Sequence, residues 1–311
     1  MIPTRLRDFV ETREGLLFAV AGYPAARART LPALLRFAPD PRGPRFREGG
    51  NYRKVPASEA RRWLLGRHPE YLGPPGDLHR VPLSRVARVL PTRGGVGRCQ
   101  PEVRRLAGLL GPPGSIGATG SHLCGLAEPG SDVDLVAYGR GYEAARERLR
   151  RAVARRELRP LSDREWDRVI EKRRPPLPRE EFLLHEGRKG NRAVRGELRF
   201  DLLYVRSWSE VRGYRPWRGT PAGARTLRAN LLSVERPFDI PTLYRTDHPG
   251  VAWVMNFRHD FVDQVRPGEL LEARGRLERK GGEARLVVGR PDTPRGEWIR
   301  SLSLVEGGEA P

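Results

Sequence analysis

The chain of 311 residues is poor in cysteine and lysine and has no long apolar run. Its two cysteines, Cys99 and Cys124, argue against both a disulfide framework and a cysteine-based zinc site. No apolar run approaches the roughly 20 residues that a membrane-spanning helix requires. Charges throughout residues 1–15 argue against a secretory signal. We therefore expect a cytoplasmic protein without a membrane segment.

Arginine supplies nearly all of the positive charge, since lysine occurs only at positions 54, 172, 189 and 280. The net charge of +20 creates a long-range attraction for polyanions. Genome base composition also contributes to such a bias, and a solvated arginine surface is the alternative. We expect contact with nucleic acid, RNA or DNA, because phosphate neutralisation is the commonest use of this excess. The 29 prolines, with few Asn, Gln, Cys and Met residues, also suit a thermophile.

The pattern of elements predicts an α+β chain in three parts. Residues 1–75 read as a small β-rich module with a hairpin at Gly15. Residues 76–232 mix strands with helices, the helices being expected near 83–90, 102–110, 142–158, 163–172 and 223–232. Residues 233–311 change to strands at 252–257, 269–277 and 284–288. These strands predict a small antiparallel β-barrel, for which an OB-like fold is our best interpretation.

The most informative stretch is residues 115–138, SIGATGSHLCGLAEPGSDVDLVAY. Gly120 and Ser121 follow a short apolar run, at a turn from strand to helix. Asp132 and Asp134 lie two residues apart in a strand-like run, so they share a face with Cα atoms roughly 6.5–7 Å apart. Two carboxylates at that spacing can share divalent metals. The alternative is an ordinary surface strand beside a turn.

This stretch resembles the signature of the polymerase-β-like nucleotidyltransferase superfamily. Gly120-Ser121, ten intervening residues and the run 132–135 (Asp-Val-Asp-Leu) form the pattern. The internal Gly125 and the serine at Ser131 also fit its minimal and CCA-adding members. One departure is Cys124, where those relatives often carry arginine. It puts one expected phosphate or helix contact in doubt, though not the metal pair.

The resemblance implies a mixed sheet with helices and a transfer of NMP from an NTP substrate to an acceptor hydroxyl. It implies that Asp132 and Asp134 bind two Mg²⁺ ions, with Mn²⁺ as a substitute. It further implies that Gly120 and Ser121 hold the β- and γ-phosphates of the NTP, ATP being one such nucleotide. The identity of the NTP and of the acceptor stays open at this stage.

The resemblance also implies a third acidic residue on a later strand of the same sheet. Asp201 lies in the middle of the apolar strand predicted at 196–205, where an unpaired carboxylate would be costly. We therefore predict Asp201 as the third catalytic and metal-binding residue. The alternative is an ion pair between Asp201 and an arginine such as Arg199 or Arg206.

Other features leave their roles open. His122 is the histidine nearest the predicted site, and it would either contact phosphate or pack in the core. Trp208, Tyr214 and Trp217 alternate with arginines, which suits either base stacking or cation–π packing within the fold. The glycine-rich run 92–97, TRGGVG, lacks the dinucleotide-binding pattern and is predicted to be a loop. The many arginines of residues 142–158 favour a solvated helix face, with nucleic-acid contact as the alternative.

The sequence therefore predicts a metal-dependent nucleotidyltransferase acting on a nucleic acid. Two alternatives remain. The chain could be a nucleic-acid-binding protein whose transferase site is vestigial, or it could transfer NMP to a small-molecule or protein acceptor. Metal-dependent NTP binding separates the first alternative from the prediction, and competition by nucleic acid separates the second.

Overall fold

The structure is a computed structural model that describes residues 3–24, 27–74, 78–212, 214–290 and 296–307. The chain forms two compact units. Unit 1 consists of Met1–Leu161 and Asn191–Pro216, and unit 2 consists of Ser162–Gly190 and Trp217–Pro311. The predicted limits at residues 75 and 232 do not follow these units, and the three-domain division stays a prediction.

Strands and helices alternate mainly in the middle of the chain. The strands are β1 Phe9–Thr12, β2 Leu17–Val20, β3 Thr30–Pro39, β4 Arg45–Arg47, β5 Gly50–Lys54, β6 His79–Pro82, β7 Val86–Leu90, β8 Ile116–Thr119, β9 Val133–Tyr138, β10 Arg192–Arg195, β11 Leu198–Val205, β12 Thr220–Glu235, β13 Thr242–Thr246, β14 Trp253–Asn256, β15 Leu270–Lys280, β16 Glu283–Val288 and β17 Trp298–Ser301. The helices are α1 Ala57–Leu65, α2 Pro101–Leu110, α3 Gly120–Cys124, α4 Gly141–Ala154, α5 Asp163–Arg173, α6 Arg179–Lys189, α7 Trp208–Val211 and α8 Leu302–Gly307. In the described part of the chain, none of these helices is long and apolar enough to cross a membrane.

Unit 1 begins with an antiparallel sheet in the order β4-β5-β3-β2-β1-β7, and β6 pairs with β3. Gly15, in the turn between β1 and β2, has a φ of +79°, a conformation that favours glycine. The predicted hairpin is therefore confirmed. Helix α1 packs against β3, and the apolar core between them includes Phe18, Leu35 and Leu64.

A second sheet in unit 1 has the order β10-β11-β9-β8. Strands β9 and β11 run parallel, while the outer pairs are antiparallel. Helix α4 packs against α2, β9 and β11, and it buries Tyr142, Ala145, Leu149 and Ala152. This mixed sheet with its helices confirms the predicted α+β class.

Cys124, at the end of α3, lies in an apolar cluster that includes strands of the first sheet. It is 2% exposed and belongs to the same cluster as Phe9, Leu17, Phe37 and Leu90. Burial raises the pKa of the Cys124 thiol, so the side chain stays neutral. Packing therefore explains the small, neutral side chain at position 124.

Unit 2 contains a sheet in the order β12-β13-β14-β16-β15-β17 that curls into a half-barrel. One end of β12 pairs with β13, and the rest of β12 pairs with β15. Strands β14 and β16 are parallel, and the other pairs are antiparallel. Gly281 and Gly282 form the turn between β15 and β16, and both have a positive φ.

Two predicted helices are wrong, because both segments form strands. Residues 83–90 contain β7, which pairs with the free edge of β1. Residues 223–232 lie within β12, where Leu227 and Leu231 are buried while Arg228 between them is exposed. That period of two belongs to a strand, and pairing with β15 overrides the helical preference of the alanine, leucine and arginine residues.

Helix α6 has no counterpart among the helices predicted from the sequence. The helix buries three charged residues inside unit 2, Glu186, Arg188 and Lys189. Lys189 pairs with Glu186, and Arg188 lies 2.7 Å from Glu269. Buried charges are tolerated when they are paired, and one of these partners lies about eighty positions along the chain. Local composition cannot indicate such a partner.

Cys124→Arg is expected to lower the free energy of unfolding by about 3 kcal/mol or more, because it places a charge in the apolar cluster. Glu11, whose charge acts on the Cys124 thiol, already pairs with Arg47 and Arg88. Cys124→Ala is the control and should cost only about 1 kcal/mol. Urea unfolding followed by circular dichroism measures both, and equal stability of the two variants would contradict the packing role.

Candidate active site

Four side chains lie in one row across the second sheet of unit 1. Asp134 on β9 lies opposite Thr119 on β8 and opposite Asp201 on β11. Asp201 in turn lies opposite Arg192 on β10. Residues paired across neighbouring strands project to the same face with Cα atoms about 5 Å apart. This aspartate row of Thr119, Asp134, Asp201 and Arg192 places two of the three predicted carboxylates side by side.

Asp132 lies just before β9, two residues from Asp134 and therefore on the same face. Arg199 on β11 donates from Nε to Asp132 Oδ1 at 3.1 Å, and its Nη2 donates to the same oxygen. The Asp132 side chain remains 28% exposed. The third predicted carboxylate thus lies beside the aspartate row, in an ion pair.

Asp201 is also held by an arginine. Arg192 Nε lies 2.9 Å from Asp201 Oδ1, and only 5% of the Arg192 side chain is exposed. The alternative raised from the sequence, an ion pair of Asp201, is therefore observed with a different partner. Of the two arginines considered, Arg199 pairs with Asp132, and Arg206 stacks on aromatic rings. Arg192 was missed because no strand had been predicted before residue 196.

Gly120 begins α3 directly beside Asp134. Its φ of +68° lies in the left-handed region that favours glycine. A Cβ atom added there would lie 3.0 Å from Asp134 Oδ2, closer than an ordinary contact. Ser121 follows on α3 and is partly exposed. Glycine at position 120 is thus favoured by the backbone conformation and leaves room for the Asp134 carboxylate beside it.

His122, the next residue of α3, is 7% exposed. Burial lowers its pKa, while a hydrogen bond with the Ser131 backbone and the charges of Asp134 and Asp132 oppose that shift. Its Nε2 atom has no hydrogen-bond partner within the described ranges. The imidazole is therefore a neutral group within electrostatic reach of both carboxylates.

The aromatic residues that alternate with arginine near 206–218 make contacts inside each unit. In unit 1 the Arg206 guanidinium lies 4.4 Å from the ring centroid of Tyr214. In unit 2 the Arg285 guanidinium lies 4.1 Å from the ring centroid of Trp217. These contacts agree with the alternative of cation–π packing within the fold.

The three aspartates fit a divalent metal by their backbone placement. Asp132, Asp134 and Asp201 share one face of the sheet, and carboxylate oxygens are the ligands that Mg²⁺ and Mn²⁺ prefer. With their present side-chain positions, no three His, Cys, Asp or Glu residues among those described come close enough to hold a metal. Two of the three carboxylates, those of Asp132 and Asp201, are paired with Arg199 and Arg192.

Comparison with known proteins identifies the family. Residues 100–189, which include Gly120 and Asp134, match the family model described as a nucleotidyltransferase domain. An uncharacterized protein of Methanocaldococcus jannaschii, MJ1086, is 31% identical and covers 95% of this chain and 98% of its own length. The chain belongs to the polymerase-β-like nucleotidyltransferase superfamily. The resemblance that the sequence indicated is thus confirmed.

As a nucleotidyltransferase, the protein is a transferase enzyme whose general activity is NMP transfer from an NTP. Nucleotidyltransferase domains generally use divalent metals. Asp201 lies beyond the matched range, so only the sheet register connects it with the matched residues. No solved structure matches the chain.

Gly120→Ala is expected to weaken Mn²⁺ binding about tenfold or more, because the added methyl group displaces Asp134 Oδ2. Gly125→Ala is the matched control. Gly125 has a φ of +69°, and nothing lies within 4 Å of an added Cβ there. Both variants carry the same backbone strain, so isothermal titration calorimetry isolates the effect on Asp134. An equal loss of Mn²⁺ affinity in both would contradict this geometry.

Arg199→Met is expected to strengthen Mn²⁺ binding about tenfold, because the metal no longer displaces a charge-assisted hydrogen bond worth roughly 1.5–3 kcal/mol. The control is Arg195→Met, which removes the same charge from β10. Within the described residues, Arg195 makes no ion pair with an aspartate. Calorimetric titration that shows equal Mn²⁺ affinity for the two variants would exclude competition between Arg199 and the metal.

Proposed function

We propose that this protein transfers NMP from an NTP to a hydroxyl group of a nucleic acid, RNA or DNA, in a reaction that depends on Mg²⁺. The observation that carries the proposal is the aspartate row, in which Asp134 and Asp201 lie side by side with Gly120 adjacent. In this reaction the acceptor oxygen forms a bond to the α-phosphorus, and the bond from that phosphorus to pyrophosphate breaks.

Each predicted site residue has a role in this proposal. Asp132 and Asp134 would bind two divalent ions, Mg²⁺ or Mn²⁺, and Asp201 would complete the ligand set nearer the acceptor hydroxyl. When bound, the ions neutralise phosphate charge and favour ionisation of that hydroxyl. Gly120 would let the triphosphate approach the backbone, since it has no side chain, and the Ser121 hydroxyl would donate to a phosphate oxygen.

The distribution of charge supports a nucleic-acid acceptor. Unit 1 holds 35 of the 58 lysines and arginines but only 18 of the 38 acidic residues, so it carries +17 of the net charge of +20. The positive excess therefore belongs to the unit that contains the aspartates. A polyanionic acceptor is attracted by this field, whereas a small-molecule or protein acceptor gives no reason for it.

A nucleic-acid-binding protein with a vestigial transferase site is the second candidate. The pairing of Asp132 with Arg199 and of Asp201 with Arg192 favours it, because structural ion pairs have this arrangement. Cys124 does not favour it, since that position belongs to the core. A vestigial site would bind nucleic acid with a steep salt dependence but would show no Mg²⁺-dependent affinity for NTP.

We further propose that the curled sheet of unit 2 is an OB-like barrel. Two features support this proposal. Strands β12, β13, β14, β16 and β15 each pair with a neighbour on both sides, because β12 also pairs with β15. The second feature is the pairing of β14 with β16, which is parallel while the other described pairs of this sheet are antiparallel. Barrels of this kind are built by closing a short Greek-key sheet on itself.

Incubation with α-labelled NTP, Mg²⁺ and total RNA or DNA tests the proposed reaction. Label should pass from the NTP to the nucleic acid, and Asp134→Asn should lower the rate at least about a hundredfold through lost electrostatic stabilisation. Glu197→Gln is the control, because Glu197 is an exposed carboxylate on the hairpin that joins β10 to β11. Absence of transfer, or transfer that persists in Asp132→Asn/Asp134→Asn, would refute the proposal.

A further inference from the structure

Unit 1 contains a groove of about 760 Å³ that the predicted site does not use. Helix α2, Arg148 in the middle of α4, the start of β8 and the loops on either side of α2 form its walls. Thirteen residues line this basic groove, among them Gly97, Arg104, Gly108, Ile116 and Arg148. Five of these residues are glycines, two are arginines and none is acidic.

Two of the glycines have no structural reason to be glycine. Gly97 and Gly108 lack a positive φ, and a Cβ added at either would meet nothing within 4 Å. Gly108 lies inside α2, where glycine costs about 1 kcal/mol relative to alanine. Open space above the backbone at both positions is what a bound ligand requires. The glycine-rich loop predicted at 92–97 forms one wall of that space.

The two lining arginines are fixed in place and retain most of their donors. Arg104 Nη1 donates to the Cys99 carbonyl at 3.1 Å, and Arg148 Nη1 donates to the Leu110 carbonyl at 3.2 Å. A guanidinium has five N–H donors. In the described part of the chain, neither arginine forms an ion pair with a carboxylate. Both are therefore available to an anionic ligand.

The acidic residues of the two helices do not offset this charge. Glu102 of α2 pairs with its neighbour Arg105 at 2.8 Å. On α4, Glu143 and Glu147 pair with arginines three and four residues further along the helix. Arg155, seven residues after Arg148, continues the same helix face and is exposed. The groove therefore has a positive rim and an apolar floor.

We propose that the basic groove binds the phosphodiester backbone of a nucleic-acid strand, the body of the acceptor. Guanidinium groups and exposed backbone N–H groups are the donors that position phosphates. The apolar floor suits sugars and bases rather than an acidic peptide. Ile116 lines the groove, and Thr119 of the aspartate row lies three residues further along β8, roughly 10 Å away and on the opposite face of the sheet. The proposal rests on the proposed function only in naming the strand as the acceptor.

Binding of a labelled single-stranded oligonucleotide, measured by fluorescence anisotropy without NTP, tests the groove. Arg104→Gln/Arg148→Gln should weaken binding about tenfold or more and lower the salt slope by about two, one for each lost phosphate contact. The control is Arg245→Gln/Arg274→Gln, which removes two exposed arginines from unit 2. Equal affinity and salt slope in the two double variants would overturn the proposal.

Filling the open space provides a second test that changes no charge. Gly108→Gln should weaken oligonucleotide binding about tenfold while leaving α2 at least as stable, because glutamine favours helix more than glycine does. Gly187→Gln is its matched control, since Gly187 lies at the corresponding position of α6 and an added Cβ there also meets nothing within 4 Å. The same affinity in both glutamine variants would refute the groove as the binding site.

Three further outcomes separate the possible failures. Polyglutamate that displaces the oligonucleotide at equal charge concentration would make the partner an acidic protein and overturn the proposal. If the wild-type protein transfers no label but the groove variants lose oligonucleotide binding, the groove stands and the proposed reaction falls. If label transfer is normal and the groove variants bind like their controls, the groove proposal falls alone.

Discussion

The parallel pairing of β9 with β11 is the constraint on which the site depends, because its register sets Asp134 beside Asp201. A slip of one residue would turn Asp201 to the opposite face of the sheet. The register is held by apolar residues further along the same strands, where Val136 and Leu203 belong to one buried cluster. The outer strands position two further residues of the site. Gly120 directly follows the last residue of β8, and Arg192 lies on β10.

Carboxylates collected on one face repel one another, so this arrangement needs compensating positive charge. In the structure Arg199 and Arg192 supply it, by pairing with Asp132 and Asp201. Divalent ions can supply the same positive charge. That charge also stabilises the phosphate oxygens during phosphoryl transfer. We therefore propose that the two arginines and the metals are alternative counter-charges for one set of aspartates. Under this proposal, the arginine pairs account for the absence of three converging acidic ligands among the described residues.

Much of this arrangement could be predicted from the sequence, because its signals are local. A turn glycine at Gly120 and two aspartates at a spacing of two carry their chemistry within about fifteen residues, and Asp201 is conspicuous in an apolar strand. The partners of these residues could not be predicted, since Arg192 reaches Asp201 only through a strand pairing. The same reason explains the missed helix α6 and the strands β7 and β12, whose partners lie far along the chain. The positive charge of the protein was likewise only partly predictable from the sequence. Its total was evident from composition, but its concentration in unit 1 emerged only with the fold.

The proposed reaction depends on binding of divalent metal by the aspartate row together with Asp132. Anomalous diffraction from crystals of the protein with Mn²⁺ and a non-hydrolysable NTP analogue tests this binding most directly. We expect manganese peaks between Asp132, Asp134 and Asp201, with Arg199 turned away from Asp132 and the triphosphate against Gly120 and Ser121. Crystals that contain the analogue but show no manganese at these carboxylates, with both arginine pairs intact, would contradict it.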